Sequence, residues 1–74
     1  MSEQSATVEM YLDVQGQRLG VAQAGADFLI LREPSEVPED SEGILGVIVD
    51  GELFERNVFF FEGISKAKRR VSFF

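Results

Sequence analysis

Apolar and polar residues alternate along the first predicted element of the chain. Val8, Met10, Leu12 and Val14 occupy every second position and are separated by more polar residues. Because successive side chains of a β-strand point to opposite faces, this spacing predicts a strand with one face buried. The Gln-Gly pair at 15–16 that follows suits a two-residue hairpin turn.

This turn determines how the next segment pairs with the first. It places Asp13 opposite Arg18 as an ion pair on one face and leaves apolar pairs on the other. A second turn at Ala24-Gly25 then places Val21 opposite Phe28. Because both turns give one consistent apolar face, we predict a three-stranded antiparallel meander. Its predicted core face consists of Val8, Met10, Leu12, Val14, Leu19, Val21, Phe28 and Ile30.

The middle of the chain predicts a loop followed by a second hairpin. Residues 33–43 include two prolines and five acids, a composition that can neither continue a helix nor occupy a central strand, so we predict a loop. The apolar run 44–49, the Asp-Gly pair at 50–51 and residues 52–61 predict the hairpin, since Asp-Gly is a strong signal for a tight turn.

The last predicted element is a terminal strand at 66–74, with Val71 and Phe73 on one face. The predicted fold class is all-β: a small five- to six-stranded antiparallel barrel or roll, built from the meander, the Asp-Gly hairpin and the C-terminal strand, and SH3-like in general size. A chain of 74 residues has room for one small core. We therefore predict a single β domain over 7–74, preceded by a flexible N-terminus at 1–6.

Two predicted strands are apolar on both faces: the third strand of the meander and the second strand of the Asp-Gly hairpin. Residues 59–61 are three consecutive phenylalanines, so the central one faces away from its neighbours. A partner protein or a second copy of the chain could cover the second apolar face, and so could the curvature of the barrel, a β-bulge or the C-terminal segment. We predict that this face is a protein–protein interaction surface whose apolar anchors are Tyr11, Leu29, Leu31 and Phe60.

The charge distribution favours a protein partner with a basic surface. All thirteen acids precede residue 66, whereas four of the seven cations lie at 66–70, and the net charge is −6. We predict a small interaction module whose loop acids steer the partner, and the open alternatives for that partner include a second copy of the chain, as a homodimer. These acids are Glu36, Glu39, Asp40 and Glu42. Their spacing does not fit an EF-hand, and no metal site is predicted.

Two other functions are compatible with the same charges. An acidic protein can imitate a nucleic-acid backbone and inhibit a nucleic-acid-binding enzyme, and its binding then weakens steeply with salt. The basic tail at 66–74 interleaves cations with Phe73 and Phe74, which is one ingredient of single-strand nucleic-acid binding. The acidic body, however, repels phosphate and disfavours direct nucleic-acid binding.

The residue inventory limits the chemistry. The chain has no His, Cys or Trp, which removes histidine-based acid/base catalysis, thiol nucleophiles, disulfides and the usual zinc ligand sets. We therefore predict no enzymatic activity and no cofactor. No uncharged apolar stretch is long enough for a membrane span, and the N-terminal residues lack the features of a signal peptide. The predicted location is the cytoplasm, without a membrane partner.

Overall fold

Six antiparallel strands form one sheet that curls into a half-barrel. The computed structural model describes residues 8–74, and within this range it has no helix, hence none that could cross a membrane. The strands are β1 (Val8–Val14), β2 (Gln17–Ala24), β3 (Phe28–Leu31), β4 (Ser41–Val49), β5 (Glu52–Phe60) and β6 (Arg70–Ser72). Their order across the sheet is β5-β4-β1-β2-β3-β6. The all-β prediction is confirmed, whereas the N-terminus predicted to be flexible, 1–6, lies outside the described residues.

Two of the three predicted two-residue turns, at 15–16 and 50–51, are present and take the same form. The central residues have positive φ angles, 52° and 74° at 15–16 and 51° and 86° at 50–51. A type I′ turn needs positive φ at both central positions, and its twist matches that of the strands it joins. The first turn gives the predicted register, with Asp13 opposite Arg18. The second pairs β4 with β5 along the full length of both strands.

The pairing of β2 with β3 differs from the prediction. The predicted turn at 24–25 is wrong: Ala24 lies within β2 and pairs with Leu29, and the turn lies at 26–27. Val21 lies opposite Leu31 rather than Phe28, and β2 contains a β-bulge directly after Val21. An extra residue in one strand shifts the register, and a slip of one residue exchanges the two faces of the partner strand. Leu29 and Leu31 therefore face the core, and the predicted core residues Phe28 and Ile30 lie on the other face, half-buried.

The core fills the concave side of the curled sheet. Its largest fully buried side chains are Phe60, Phe73, Leu12, Leu29, Leu31 and Val21. Phe60 and Phe73 meet edge to face, with ring centroids 6.2 Å apart. Val71 and Phe73 share the buried face, as predicted. The aromatic pair joins β5 to the segment that follows β6, although these lie at opposite edges of the sheet.

Backbone hydrogen bonds close the half-barrel at one end. The N–H of Phe59 donates to the Phe74 carbonyl at 2.8 Å, and the N–H of Phe74 donates to the Phe59 carbonyl at 2.9 Å. Beside this pair, Val37 and Ile64 exchange two hydrogen bonds of 2.9 Å, and both side chains are buried. The closed end is therefore held by two exchanges of backbone hydrogen bonds between distant parts of the chain.

The structure corrects the predicted bounds of the acidic loop and of the terminal strand. The acidic segment 33–43 is not a loop throughout, because Val37 forms a bridge and β4 already begins at Ser41. Ser41 is 2% exposed, and its hydroxyl donates to the Pro38 carbonyl at 2.7 Å, which satisfies the buried polar group. The terminal strand is also shorter than predicted, since only Arg70–Ser72 is strand.

Candidate interaction surface

The four predicted apolar anchors are buried. Tyr11 is 9% exposed, Leu31 is 1% exposed, and Leu29 and Phe60 have no exposed surface. Leu29 and Leu31 face the core because of the bulge in β2. Phe60 faces it because it lies two residues after the buried Val58, on the same face of β5. The prediction that these residues form an accessible apolar face is therefore wrong, and the exposed apolar surface lies elsewhere.

Tyr11 is buried on the convex face by a cluster of its neighbours. Its ring lies over Gly46, where any Cβ would overlap it, and the Arg18 guanidinium lies 3.8 Å from the ring centroid. Asp13 accepts two hydrogen bonds from Arg18, at 2.7 and 2.9 Å, and the Tyr11 hydroxyl donates to Glu55 Oε2 at 3.4 Å. The hydrogen bonding lowers the pKa of Asp13 and raises the pKa of Arg18. These contacts give Tyr11 a structural role in the folded chain.

The predicted loop acids are exposed at the closed end of the half-barrel. Glu36, Glu39 and Asp40 precede β4, and Glu42 lies near its start; all four side chains are exposed. The N–H of Asp40 donates to the Phe61 carbonyl at 3.2 Å, which ties the acidic segment to the residues just after β5. These acids therefore lie at the opposite end of β4 from the β4–β5 turn.

Exposed apolar side chains occur in the outer half of the β4–β5 hairpin. Leu53 is 50% and Phe54 52% exposed, and the two side chains point to opposite faces of β5. Phe54 lies on the concave face opposite Val47, and on the same face β1 contributes Val8, which is 46% exposed although we predicted it in the core. Leu53 lies on the convex face opposite Ile48. We name Val8, Leu53 and Phe54, which lie at one end of the sheet on its two faces, the hairpin patch.

The sequence contains one signal for this patch. Leu53 and Phe54 are adjacent, with Glu52 before and Glu55 after them. A strand with a single covered face can bury only one of two adjacent apolar residues. The same constraint holds for the phenylalanines at 59–61, and at 53–54 it predicts that at least one apolar side chain is exposed.

β5 also has a free backbone edge beside the hairpin patch. It is an edge strand of the sheet and pairs with β4 along one side. On its other side, Phe59 exchanges hydrogen bonds with Phe74. Because outward-pointing backbone groups alternate along a strand, those of Leu53, Glu55 and Asn57 point to the same side as those of Phe59. Within residues 8–74 no strand pairs with these three residues. This edge can accept the backbone of another chain.

A second exposed surface combines aromatic and basic residues. Phe61 is 53% and Phe74 73% exposed, and their rings meet edge to face at 5.0 Å. A groove beside them is lined by Lys68, Arg69 and Arg70. The Arg69 Nη1 group donates to a backbone carbonyl at 3.3 Å and the Arg70 guanidinium lies 4.4 Å from a ring centroid, so these two cations also make contacts within the chain. We name these five residues the aromatic-basic groove.

Metal binding has no geometric support in the described part of the chain. Within residues 8–74, no three or more acidic side chains are grouped so that they could hold a metal ion.

Comparisons with known proteins identify no relative, so the functional argument rests on the geometry of the chain. No protein-family model, no curated protein and no solved structure matches this chain.

Proposed function

We propose that this chain is a small non-enzymatic interaction module that binds another protein by strand addition to the free edge of β5. In strand addition, an extended segment of the partner hydrogen-bonds to an exposed sheet edge, and side-chain pockets supply the specificity. The observation that carries the proposal is the coincidence of the free edge at Leu53, Glu55 and Asn57 with the half-exposed side chains of Leu53 and Phe54.

Unprotected edges are uncommon in monomeric sheet proteins, because they invite pairing with other chains. Proteins usually shorten such edges, cover them, or place proline and lysine on them. The outer part of β5 has neither residue, and it spans six exposed positions, Glu52–Asn57. At the closed end the same strand is covered by Phe74. The fold thus protects one half of β5 and leaves the other accessible.

The charges near this edge favour a partner with basic side chains. Glu52 and Glu55 are exposed on opposite faces of β5, and Arg56 is the one cation of this strand. Glu9 is exposed in β1, which is separated from β5 by β4. A partner strand with basic residues opposite the two glutamates would form cross-strand ion pairs, each contributing roughly 0.2–1 kcal/mol. The acids at the closed end add long-range attraction that increases the association rate.

Affinity capture with paired variants tests this proposal. The tagged protein is used as bait in an extract of the cells that produce it, beside Phe54→Glu and Phe61→Glu. These two phenylalanines are nearly equally exposed, 52% and 53%, but only Phe54 lies at the free edge. We expect a specific partner to be retained by the wild type and by Phe61→Glu and lost with Phe54→Glu.

Amide chemical shifts then locate the contact. Addition of the captured partner should shift the amide resonances of Leu53, Glu55 and Asn57, because their N–H groups point to the new strand. Equal capture by Phe54→Glu, or shifts confined to the aromatic-basic groove, would contradict strand addition at β5.

The aromatic-basic groove supports a second candidate, binding of a single-stranded nucleic acid. Exposed Phe61 and Phe74 offer stacking surfaces and Lys68 adds a cation beside them. Fluorescence anisotropy with a labelled oligonucleotide at low salt tests it, with Phe61→Ala as the stacking variant and Phe54→Ala as the matched control. Binding that Phe61→Ala leaves unchanged would contradict a role for the groove.

A further inference from the structure

We infer that one partner of the β5 edge is a second copy of this chain, paired antiparallel about a two-fold axis at Phe54. This inference rests on the proposed function, because it uses the same free edge. The two copies of β5 pair in a single register, which follows from the backbone geometry and the charges of this strand.

Backbone geometry limits the possible registers. In an antiparallel pair, residues that face each other either both direct their hydrogen-bonding groups at the partner or both direct them away. In β5 the groups of Leu53, Glu55 and Asn57 point to the free edge, and those of the residues between them point to β4. A symmetric pair must therefore place a residue, and not a peptide bond, on the axis.

Charge then selects among the remaining centres. An axis at Glu55 or at Arg56 sets like charges directly opposite each other, which is destabilising. An axis at Glu52 also opposes like charges, and an axis at Leu53 sets Glu52 opposite Phe54 and gains no ion pair. An axis at Asn57 would need the backbone groups of Phe59, which already bond to Phe74.

An axis at Phe54 sets the two copies of this ring side by side and places Glu52 of each chain opposite Arg56 of the other. Glu52, Phe54 and Arg56 share the concave face, so the two ion pairs flank the aromatic contact. In the same register Leu53 of each chain forms a hydrogen-bonded pair with Glu55 of the other. The outward backbone groups of both residues are thereby satisfied. Within residues 8–74, no other strand edge offers this combination of free backbone groups and self-complementary charge.

Solution mass across a concentration series is the first test. Light scattering behind a sizing column should show a monomer–dimer equilibrium for the wild type. The dimer should persist at high salt, because backbone hydrogen bonds and the Phe54 contact are not screened and the repulsion between two chains of net charge −6 is reduced. Phe54→Glu should be monomeric, and Phe61→Glu should dimerise as the wild type does. Circular dichroism checks that both variants fold.

Charge reversal tests the register. Glu52→Arg alone and Arg56→Glu alone each turn two ion pairs into two like-charge contacts, and each should weaken the dimer about tenfold or more. The double variant Glu52→Arg/Arg56→Glu again places opposite charges across the axis and should recover most of the affinity. Arg56 lies 5.1 Å from the Phe73 ring centroid, so the double variant also controls for any loss of that contact.

Cysteine cross-linking reads the register directly, since the chain has no cysteine of its own. Facing residues of a non-hydrogen-bonded pair have Cα atoms about 4.5 Å apart, a separation that a disulfide spans. Phe54→Cys should therefore form a covalent dimer under mild oxidation. Leu53→Cys should not, because in this register the two copies of residue 53 are diagonal neighbours roughly 7–8 Å apart.

The outcomes separate this inference from the proposed function. A wild type that stays monomeric at every concentration would overturn the inference, and so would a dimer that cross-links through Leu53→Cys in place of Phe54→Cys. If such a monomer still captures a partner in a manner that depends on Phe54, the proposed function stands without self-association. If it captures none through β5, both fail.

Discussion

The two halves of β5 each place a phenylalanine on the concave face, but only the ring at the closed end is buried. At the closed end Val58 and Phe60 are buried, and Phe59 bonds to Phe74 on the side away from β4. In the outer half every residue from Glu52 to Asn57 is exposed, including Leu53 and Phe54. Both halves pair with β4 in the same continuous register. Strand formation and burial are therefore separate properties in this chain.

The difference arises from what lies across the concave face. At the closed end, the side chain of Phe73 reaches Phe60 from the far edge of the sheet. In the outer half, Phe54 lies opposite Val47 of β4 and remains 52% exposed. A phenylalanine in β5 thus contributes to the core only where the sheet has curled far enough to bring the other edge against it. The open half is left available for another chain.

The largest effect that tests this comparison is the loss of a closed-end ring. Phe60→Ala should lower the free energy of unfolding by about 3–5 kcal/mol, because it leaves a cavity beside Phe73. A domain of this size has only about 3–5 kcal/mol to lose. We expect the variant to be largely unfolded in urea titrations followed by circular dichroism.

Phe54→Ala is the matched control for that measurement. At protein concentrations low enough to keep the chain monomeric, it should cost about 1 kcal/mol or less, since half of the ring is already exposed. Equal destabilisation by the two substitutions would show that the two halves of β5 do not differ in burial.

The next largest effect concerns Gly46, which lies opposite Glu55 in the outer half of the hairpin. Gly46→Ala should destabilise the fold by about 1–3 kcal/mol, because the added Cβ would overlap the Tyr11 ring and displace it from Arg18 and Glu55. Thermal unfolding of the variant provides the measurement.

Gly20→Ala is the control for this prediction. Gly20 lies opposite Tyr11 in β2, but the three atoms nearest to its added Cβ would all belong to the flexible, exposed side chain of Arg32. We expect little change in stability. If Gly46→Ala is tolerated equally well, Tyr11 does not depend on the absence of a side chain at position 46.

Hydrogen exchange sharpens the comparison at the level of single amides. In the outer half, the N–H groups of Phe54 and Arg56 bond to β4, whereas those of Leu53, Glu55 and Asn57 point to the free edge. In dilute protein, amide exchange followed by NMR should therefore be slow at the residues bonded to β4 and fast at the residues that point to the free edge. The Phe59 amide, bonded to Phe74, should be protected although it points to the same side. Uniform protection along β5 in dilute protein would contradict a free edge.

The strands were predictable because their signals are local. Period-two alternation identified β1, and the turn pairs at 15–16 and 50–51 gave both hairpins with the correct central residues. The register of β3 was not predictable in the same way. Phe28–Leu31 is apolar at every position, so alternation cannot select a face, and the bulge in β2 decides which residues are buried.

The candidate surface was less predictable than the fold because it depends on where the sheet closes. The exchange of hydrogen bonds between Phe59 and Phe74 joins β5 to the residues that follow β6, although β5 and β6 lie at opposite edges of the sheet. Whether Phe54 or Phe60 is accessible follows from that closure and not from either residue's neighbours in sequence. The predicted anchor Phe60 and the observed exposed Phe54 lie in one strand and on one face.

The smallest predicted effect is the pH dependence contributed by the ion pair of Asp13 with Arg18. The hydrogen bonds from Arg18 hold the pKa of Asp13 below its ordinary value of 3.8, so the folded chain binds this proton less readily than the unfolded chain does. The pair therefore stabilises the fold above pH 3.8, and this contribution is lost as the pH falls through the lowered pKa. Asp13→Asn should be slightly less stable than the wild type at pH 7 and equally stable in strong acid, as measured by urea unfolding. Arg18→Gln should cost more at pH 7, because it also uncovers the Tyr11 ring. A difference between wild type and Asp13→Asn that is the same at both pH values would show that the pair does not couple folding to this proton.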